Sequence, residues 1–301
     1  MDFALLQVFK AVADEGTITG AARKLHRVPS NVTTRLKQLE ATLGKPLFDR
    51  ERGRLTLSAE GRVFLGYVEQ LLRTFDEARA AITASAPGGV LKLGTLESTA
   101  ASRLPPLLAS YHRNYPDVRI ELTTGTAGAL TDDVLSRKVD AAFIADCAAS
   151  PELELVPAFE EELVLIAPQS HPAIRGARDV RTSTIIAFPT GCAYRRRLQG
   201  WLAADGVIPE RVLELSSYHA IVACVASGTG IALTPRAVLE TITGTEHVAV
   251  YPLASRSRAV TSLVWRKGED SLALRALQVE LASRAQGASR PHGRKLRVVG
   301  G

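Results

Sequence analysis

Two sets of residues in this 301-residue chain have the types and spacing to do chemistry. The first is cationic. Between residues 20 and 54 lie nine Lys or Arg (Arg23, Lys24, Arg27, Arg35, Lys37, Lys45, Arg50, Arg52, Arg54) against three acids, Glu40, Asp49 and Glu51. So much positive charge in so short a segment is the footprint of a polyanionic partner. Ser30, Asn31, Thr33 and Thr34 are interleaved with apolar Val32 and Leu36, so the same face carries short donors and acceptors of the kind that read base edges. The residues expected to touch duplex DNA are Thr19, Arg27, Ser30, Asn31, Thr33, Thr34, Arg35, Lys37, Arg50, Arg52 and Arg54. The plainer alternative is a solvated charged face.

The second set sits where strand-like runs hand over to helical ones: Glu97, Ser98 and Thr99; Thr124 and Gly125; Thr190, Cys192, Tyr194 and Arg195; Tyr218 and His219. Such turns present N–H groups and hydroxyls to a small ligand, although each residue can equally serve only as a helix cap. Glu97 suits an ammonium and Arg195 a carboxylate, which points to an amine, an amino acid or a small carboxylate. Catalysis is not expected: the chain contains no H-E-x-x-H, no P-loop and no G-x-S-x-G, and Gly228-Thr229-Gly230 lacks the third glycine of a dinucleotide loop. Cys147, Cys192 and Cys224 are far apart and fit neither a disulfide framework nor a metal site, so no metal or cofactor is expected. A second trigger is redox: at a helix N-terminus Cys192 would have a lowered thiol pKa and, with Cys224, form a switch.

The elements that must position these groups can be read from periodicity. Phe3, Leu6, Phe9, Val12 and Ala13 recur at helical spacing up to Gly16; Thr17 caps a short second helix through Leu25; a third opens at Pro29 and runs through Leu43 to Gly44. This is the helix-turn-helix plan, in which the start of the third helix faces the major groove. Residues 47–57 place two apolar clusters around a charged turn with Gly53, a β-ribbon wing. From Ala59 to Thr83, Leu65, Val68, Leu72, Phe75 and Ile82, with Arg79 at one seam position, predict a helix that pairs with a second copy, giving a dimer or tetramer. Ala84–Gly89 reads as a hinge. Strands are expected at 90–96, 118–124, 140–144, 161–168, 184–188, 212–215 and 231–234, alternating with helices at 98–114, 130–137, 192–204 and 218–226; Val248–Leu253 or Val260–Trp265 returns the chain. That alternation predicts two α/β lobes with a cleft between them.

The run Phe9-x-x-Val12-Ala13-x-x-Gly16-Thr17-Ile18-Thr19-x-Ala21-Ala22-x-x-Leu25, then Val32-Thr33-x-x-Leu36-x-x-Leu39-Glu40-x-x-Leu43-Gly44-x-x-Leu47-Phe48-x-Arg50 and Leu57-Ser58-x-x-Gly61, resembles the LysR-type transcriptional regulators over residues 2–62. The resemblance implies a winged helix-turn-helix followed by a periplasmic-binding-protein-like effector domain. Gly94–Ala101, Gly191–Arg195 and Glu214-x-x-Ser217-Tyr218-His219-x-x-x-Ala223-Cys224-Val225 are similar to the subgroup containing the putrescine-utilisation regulator, implying an inducer from amine or amino-acid catabolism. Pro29-Ser30 and Thr33-Thr34 depart from the pairs common in the family, so base preference does not carry over.

The expected domains are 1–58 (winged helix), 59–86 (dimerisation helix and hinge), 87–286 (effector domain, lobe I at 87–163 and 248–286, lobe II at 164–247) and 287–301, a basic tail without fixed structure. Hydrophobic residues at 46% and charged residues at 23% supply enough apolar surface for such cores. The N-terminus lacks a basic leader and no apolar run reaches membrane length, so the expected setting is the cytoplasm, with operator DNA, a small inducer, RNA polymerase and a second copy as partners. A transport solute-binding protein is the competing reading, since its lobes would look alike.

Overall fold

The computed structural model describes residues 2–51, 54–83, 86–253, 257–269 and 271–288, with the side chains of 50, 51, 73, 77, 80–83 and 285–288 outside that description. Arg52, the Arg50 side chain and the tail beyond Ala288 therefore lie outside the described residues. The chain divides into two units, residues 1–84 and 85–301.

In the first unit, α1 (Phe3–Glu15) starts at Asp2, whose carboxylate accepts from the Ala4 N–H, and stops at Gly16 in the left-handed conformation. Thr17 Oγ1 accepts from the Gly20 N–H at 3.1 Å and caps α2 (Ile18–Lys24). The next helix, α3 (Pro29–Leu43), has Pro at its first position and left-handed Gly44 at its end. These caps satisfy terminal N–H and C=O groups that the helices cannot pair internally. Phe9, Val12, Ala21, Val32, Leu36 and Leu39 form the core. The wing is β1 (Phe48–Glu51) antiparallel to β2 (Arg54–Leu57).

Ser58 and Gly61 lock the corner after the wing. Ser58 Oγ donates to the Pro46 carbonyl and accepts from the Gly61 N–H, both at 2.9 Å, while the Ser58 N–H donates to the Leu47 carbonyl at 3.0 Å. A Cβ on residue 61 would lie 2.1 Å from the Leu47 oxygen, so this approach admits only glycine.

The long helix α4 (Ala59–Thr83) corrects the expected pairing seam. Val68 is buried in the core of its own unit, Leu65 and Leu72 pack against that core, and the Phe75 ring lies 4.3 Å from that of Phe3. Ile82 lies outside the described side chains. Among the described side chains of α4, the apolar residues left in solvent are Val63, Tyr67 and Leu71, 66%, 63% and 47% exposed, at four-residue spacing along the other side, and the half-exposed Phe75 extends them by one turn. Periodicity finds an apolar stripe but cannot say which of two faces the head takes for itself.

The second unit contains two lobes. In the first, β3 (Gly89–Thr95) runs parallel to β4 (Val118–Thr124) and β5 (Ala141–Ala145), and β11 (Arg258–Arg266) is antiparallel to β5. Helices α5 (Glu97–Ser102), α6 (Leu104–Asn114), α7 (Ala127–Leu135) and the C-terminal α11 (Leu272–Ala288) accompany this sheet. Tyr111 on α6 is fully buried and donates to the Ala273 carbonyl of α11 at 2.8 Å. The sixteen-residue β6 (Leu153–Pro168) pairs with β11 along its first ten residues. Its last six pair with β9 (Ala232–Pro235) and β10 (Val248–Pro252) of the second lobe. There β7 (Thr184–Ala187) is parallel to β8 (Arg211–Glu214), with α8 (Ala193–Ala204), α9 (Tyr218–Ala226) and the short α10 (Arg236–Leu239).

Four details differ from expectation. The helix predicted over 98–114 is two, broken at Arg103, because Pro105 and Pro106 lack the N–H donors that would continue α5 and instead suit the first turn of a new helix. Strand β6 starts at Leu153 rather than 161: Leu153, Leu155, Val156, Ala158 and Phe159 carry an apolar signal, but Pro157 and the acids Glu160–Glu162 break it before the continuous run begins. Residues 248–252, expected in the first lobe, pair instead with the second-lobe half of β6, so β11 alone carries the return. Lastly, α11 runs to Ala288, two residues into the expected tail.

Candidate functional site

The head presents its expected DNA-facing residues unevenly. Ser30, Thr34 and Lys37 are exposed at four- and three-residue steps and share the outward side of α3, with Asn31 beside them. Thr33 and Arg35 are half-buried on the flanks, Arg35 lying 3.8 Å from the Asp2 carboxylate. The Thr33 and Thr34 hydroxyls donate to the carbonyls of Pro29 and Ser30 at 3.0 Å, leaving lone pairs to accept from a partner. Exposed Arg27 reaches Asn31 Oδ1 at 3.4 Å, and Thr19 and Arg54 are exposed on α2 and the wing. Behind this face, Lys10 bridges Asp14 and Glu69 while Lys24 bridges Asp14 and Glu15, tying α1, α2 and α4 together. Burial alone would raise the Asp14 carboxyl, but the hydrogen bonds and charges of Lys10 and Lys24 outweigh it and hold it below its usual value.

The second unit has a narrow pocket between its lobes, with about 20 Å³ of free space inside. Leu96, Glu97, Ser98, Gly125 and Thr126 form one wall, and Phe188, Cys192, Ala193, Tyr194 and Tyr218 the other. Thus Glu97, Ser98, Gly125, Cys192, Tyr194 and Tyr218 come together as expected. The remaining five expected residues do not. Thr99 is fully buried behind the wall, and Thr124 and Thr190 are exposed outside it. Arg195, expected to hold a carboxylate, is bound to Glu214 at 2.5 Å and to the Phe188 carbonyl at 3.4 Å, because one turn of α8 carries it towards β8. His219 lines a separate groove on the second lobe with Ser170 and His247. Thr126 was legible as the cap of α7, where its hydroxyl accepts from the Ala129 N–H. Phe188 carried no polar signal, and only the fold shows its ring 4.8 Å from that of Tyr218.

Two polar atoms at this pocket are buried without a hydrogen-bond partner: Glu97 Oε2 and the Tyr194 hydroxyl. Burial raises the Glu97 carboxyl above its ordinary value despite the nearby Tyr218 N–H and His219, which favour the charged form. Burial also raises the Tyr194 and Tyr218 phenols, which stay neutral. Ser98 and Thr261 approach the Tyr194 hydroxyl without reaching hydrogen-bond geometry. The Cys192 thiol is likewise pushed up by burial, which outweighs the N–H groups of Arg195 and Tyr194 and the nearby arginine charges. That overturns the lowered thiol pKa on which a redox trigger was premised.

Arginine–carboxylate pairs tie parts of the second unit together. Arg103 grips Glu161 through two nitrogens at 2.9 and 3.0 Å, Arg197 of α8 grips Asp146 at 2.5 and 2.6 Å, and Arg236 grips Glu162 at 2.8 and 3.0 Å. Arg197 also donates to the Arg258 carbonyl at 2.9 Å, fastening the second lobe to the end of β5 and the start of β11. Such bidentate pairs fix geometry as well as charge. Among the described residues there is no group of three or more metal-ligating side chains placed to hold an ion, and no helix is long and apolar enough to cross a membrane.

Residues 3–62 match the family described as "Bacterial regulatory helix-turn-helix protein, lysR family", and residues 84–286 match the "LysR substrate binding domain". Two Bacillus subtilis proteins are similar over nearly full length: the HTH-type transcriptional regulator YusT, 42% identical over 94% of this chain and 95% of its own, and GltR, 37% identical over 93% and 95%. Among solved structures, full-length CbnR complexed with its target DNA is 24% identical with a TM-score of 0.67, covering 94% of this chain and 99% of that one. A full-length OxyR variant from Pseudomonas aeruginosa is 21% identical with a TM-score of 0.71, covering 94% of each. These two likenesses concern the fold.

Proposed function

The chain belongs to the LysR family of DNA-binding transcription regulators, and from that premise we propose that it reads a partly palindromic operator through α3 and the wing and answers to a small molecule held between its lobes. It is a regulator and not an enzyme, and its near full-length likeness to transcription regulators sets aside the transport reading. The observation that carries the inducer reading is the pocket walled by both lobes, since a ligand touching both necessarily favours one lobe arrangement over another. Ser30, Asn31, Thr34 and Lys37 face base edges, Thr33 and Arg35 border the groove, and Thr19, Arg27 and the wing arginines hold phosphates. The exposed side of α4, with Val63, Tyr67 and Leu71, pairs with a second copy to build a dimer or tetramer, which sets two heads at half-site spacing.

Ligand-driven lobe movement then changes the spacing of the heads, and with it DNA bending and access for RNA polymerase. The cell compartment is the cytoplasm. The likeness at Gly94–Ala101 and Glu214–Val225 supports an inducer of amine or amino-acid metabolism. The test is operator binding by the full chain, measured with and without candidate inducers, for wild type and Ser98→Ala. The variant is expected to bind DNA like wild type and to lose about tenfold in inducer sensitivity. An unchanged inducer response would count against the pocket.

A further inference from the structure

Resting on the reading of this pocket as the inducer site, we propose that it selects small amines with a single positive charge and an uncharged hydrogen-bonding group at the far end, amino alcohols being the simplest, and rejects carboxylates, amino acids and diamines. The charge inventory supports this. Among the described lining residues Glu97 is the one carboxylic acid, and its Oε2 is buried with no partner. Arg103, Arg195 and Arg197 are already committed, to Glu161, Glu214 and Asp146, while Arg196 and His219, whose charges reach Cys192 and Glu97, do not line the pocket. A carboxylate entering here would meet an acid and, among the described lining residues, no cation, whereas an ammonium would give Glu97 its missing donor.

The second unpartnered atom sets the other end of the ligand. The Tyr194 hydroxyl is on a side chain only 4% exposed, and burial keeps the phenol neutral. A neutral hydroxyl can donate to and accept from an alcohol, carbonyl or amide, but it cannot compensate a second ammonium. A diamine would therefore bury one charge without a counterion, and an amino acid would bury its carboxylate the same way. Leu96, Phe188 and Tyr218 line the same pocket and offer apolar surface to a short methylene chain. The free space inside is only about 20 Å³, so the site suits small compounds and the lobes must part to admit one.

The test uses the full chain and a matched set: 4-amino-1-butanol, n-butylamine, putrescine, 4-aminobutyrate, butyrate and 1,4-butanediol, scored by thermal shift and calorimetric affinity. 4-Amino-1-butanol is expected to bind at least about tenfold more tightly than each of the others except n-butylamine, which keeps the ammonium and loses only the Tyr194 contact. Glu97→Gln should abolish binding of both amines. Tyr194→Phe should weaken the amino alcohol and leave n-butylamine unchanged, a split that loss of packing alone does not produce. Tighter binding of putrescine or of a carboxylate overturns the selectivity while leaving the pocket as inducer site, provided Ser98→Ala weakens it. Amine binding untouched by both Glu97→Gln and Tyr194→Phe places the ligand elsewhere and overturns the pocket reading too. Absence of any stabilisation by the amines at millimolar concentration likewise overturns the proposal.

Discussion

The DNA-facing helix and the interlobe pocket treat polar side chains in opposite ways. On α3 the groups are in solvent and locally paired: Thr33 and Thr34 bond their own helix and Arg27 reaches Asn31. Each group exchanges water for a partner at little cost, and the partner brings most of the attraction as phosphate charge. In the pocket the polar atoms of Glu97 and Tyr194 are desolvated and unpaired, so the unliganded fold carries their cost until a ligand relieves it. A surface built the first way binds whatever offers charge and shape, and a site built the second way discriminates by chemistry. The pairing of the two in one chain separates where affinity for DNA arises from where the choice of signal arises.

The largest effect should come from the corner that holds the wing. Gly61→Ala forces a Cβ against the Leu47 carbonyl and should cost the head about 3 kcal/mol, read as loss of operator binding and an early melting transition. The response of the second unit to its ligand should persist, and its loss would break the division between the two regions.

A smaller effect is expected on the DNA face. Lys37→Ala and Arg54→Ala should each lower operator affinity by about threefold to tenfold and reduce the slope of log affinity against log salt by about 1. Titrations at several salt concentrations measure both, and an unchanged slope would remove that residue from the phosphate-contacting set.

The smallest effect sharpens the pocket side. Burial raises the Glu97 carboxyl, so its stabilising contribution is complete below the ordinary carboxylate pKa and is lost as pH rises through the higher folded value. Without ligand, Glu97→Gln should therefore melt about a degree or two above wild type at neutral pH and lose part of the pH dependence, the amide oxygen still facing the Tyr218 N–H. A variant that melts lower than wild type at neutral pH would show that the buried carboxylate is not a burden.

Much of the fold was legible because its signals are local. Caps at Thr17 and Gly16, the first-turn Pro29 and the apolar spacing of α1 and α3 need no knowledge of distant residues, and α1, α2, α3 and α4 begin and end close to where these signals put them. Signals that depend on partners were less readable. Whether Leu65, Val68 and Leu72 face a second copy or their own head is decided by packing with Phe9 and its neighbours, and whether Arg195 faces the pocket is decided by where β8 brings Glu214. Strand-to-helix turns pointed to Glu97, Ser98, Gly125, Cys192, Tyr194 and Tyr218, but the same rule also selected Thr124 and Thr190, which the pocket leaves outside. Phe188 shows the limit: an aromatic residue at a strand end reads as core until the opposite wall is known.

The two lobes hold one ribbon in common. Because β6 belongs to the first sheet up to Glu162 and to the second from Leu163, there is no slack tether between the lobes along this strand, only a continuous ladder whose pleat alternates across both. Any opening has to be accommodated by torsion of that ladder, and the register shift between Thr261 and Ser262 on β11 marks a place where it is already interrupted. For the same reason the crossing is the least forgiving place to add or delete a residue: one extra position there would turn every side chain of one half inside out, however conservative its type.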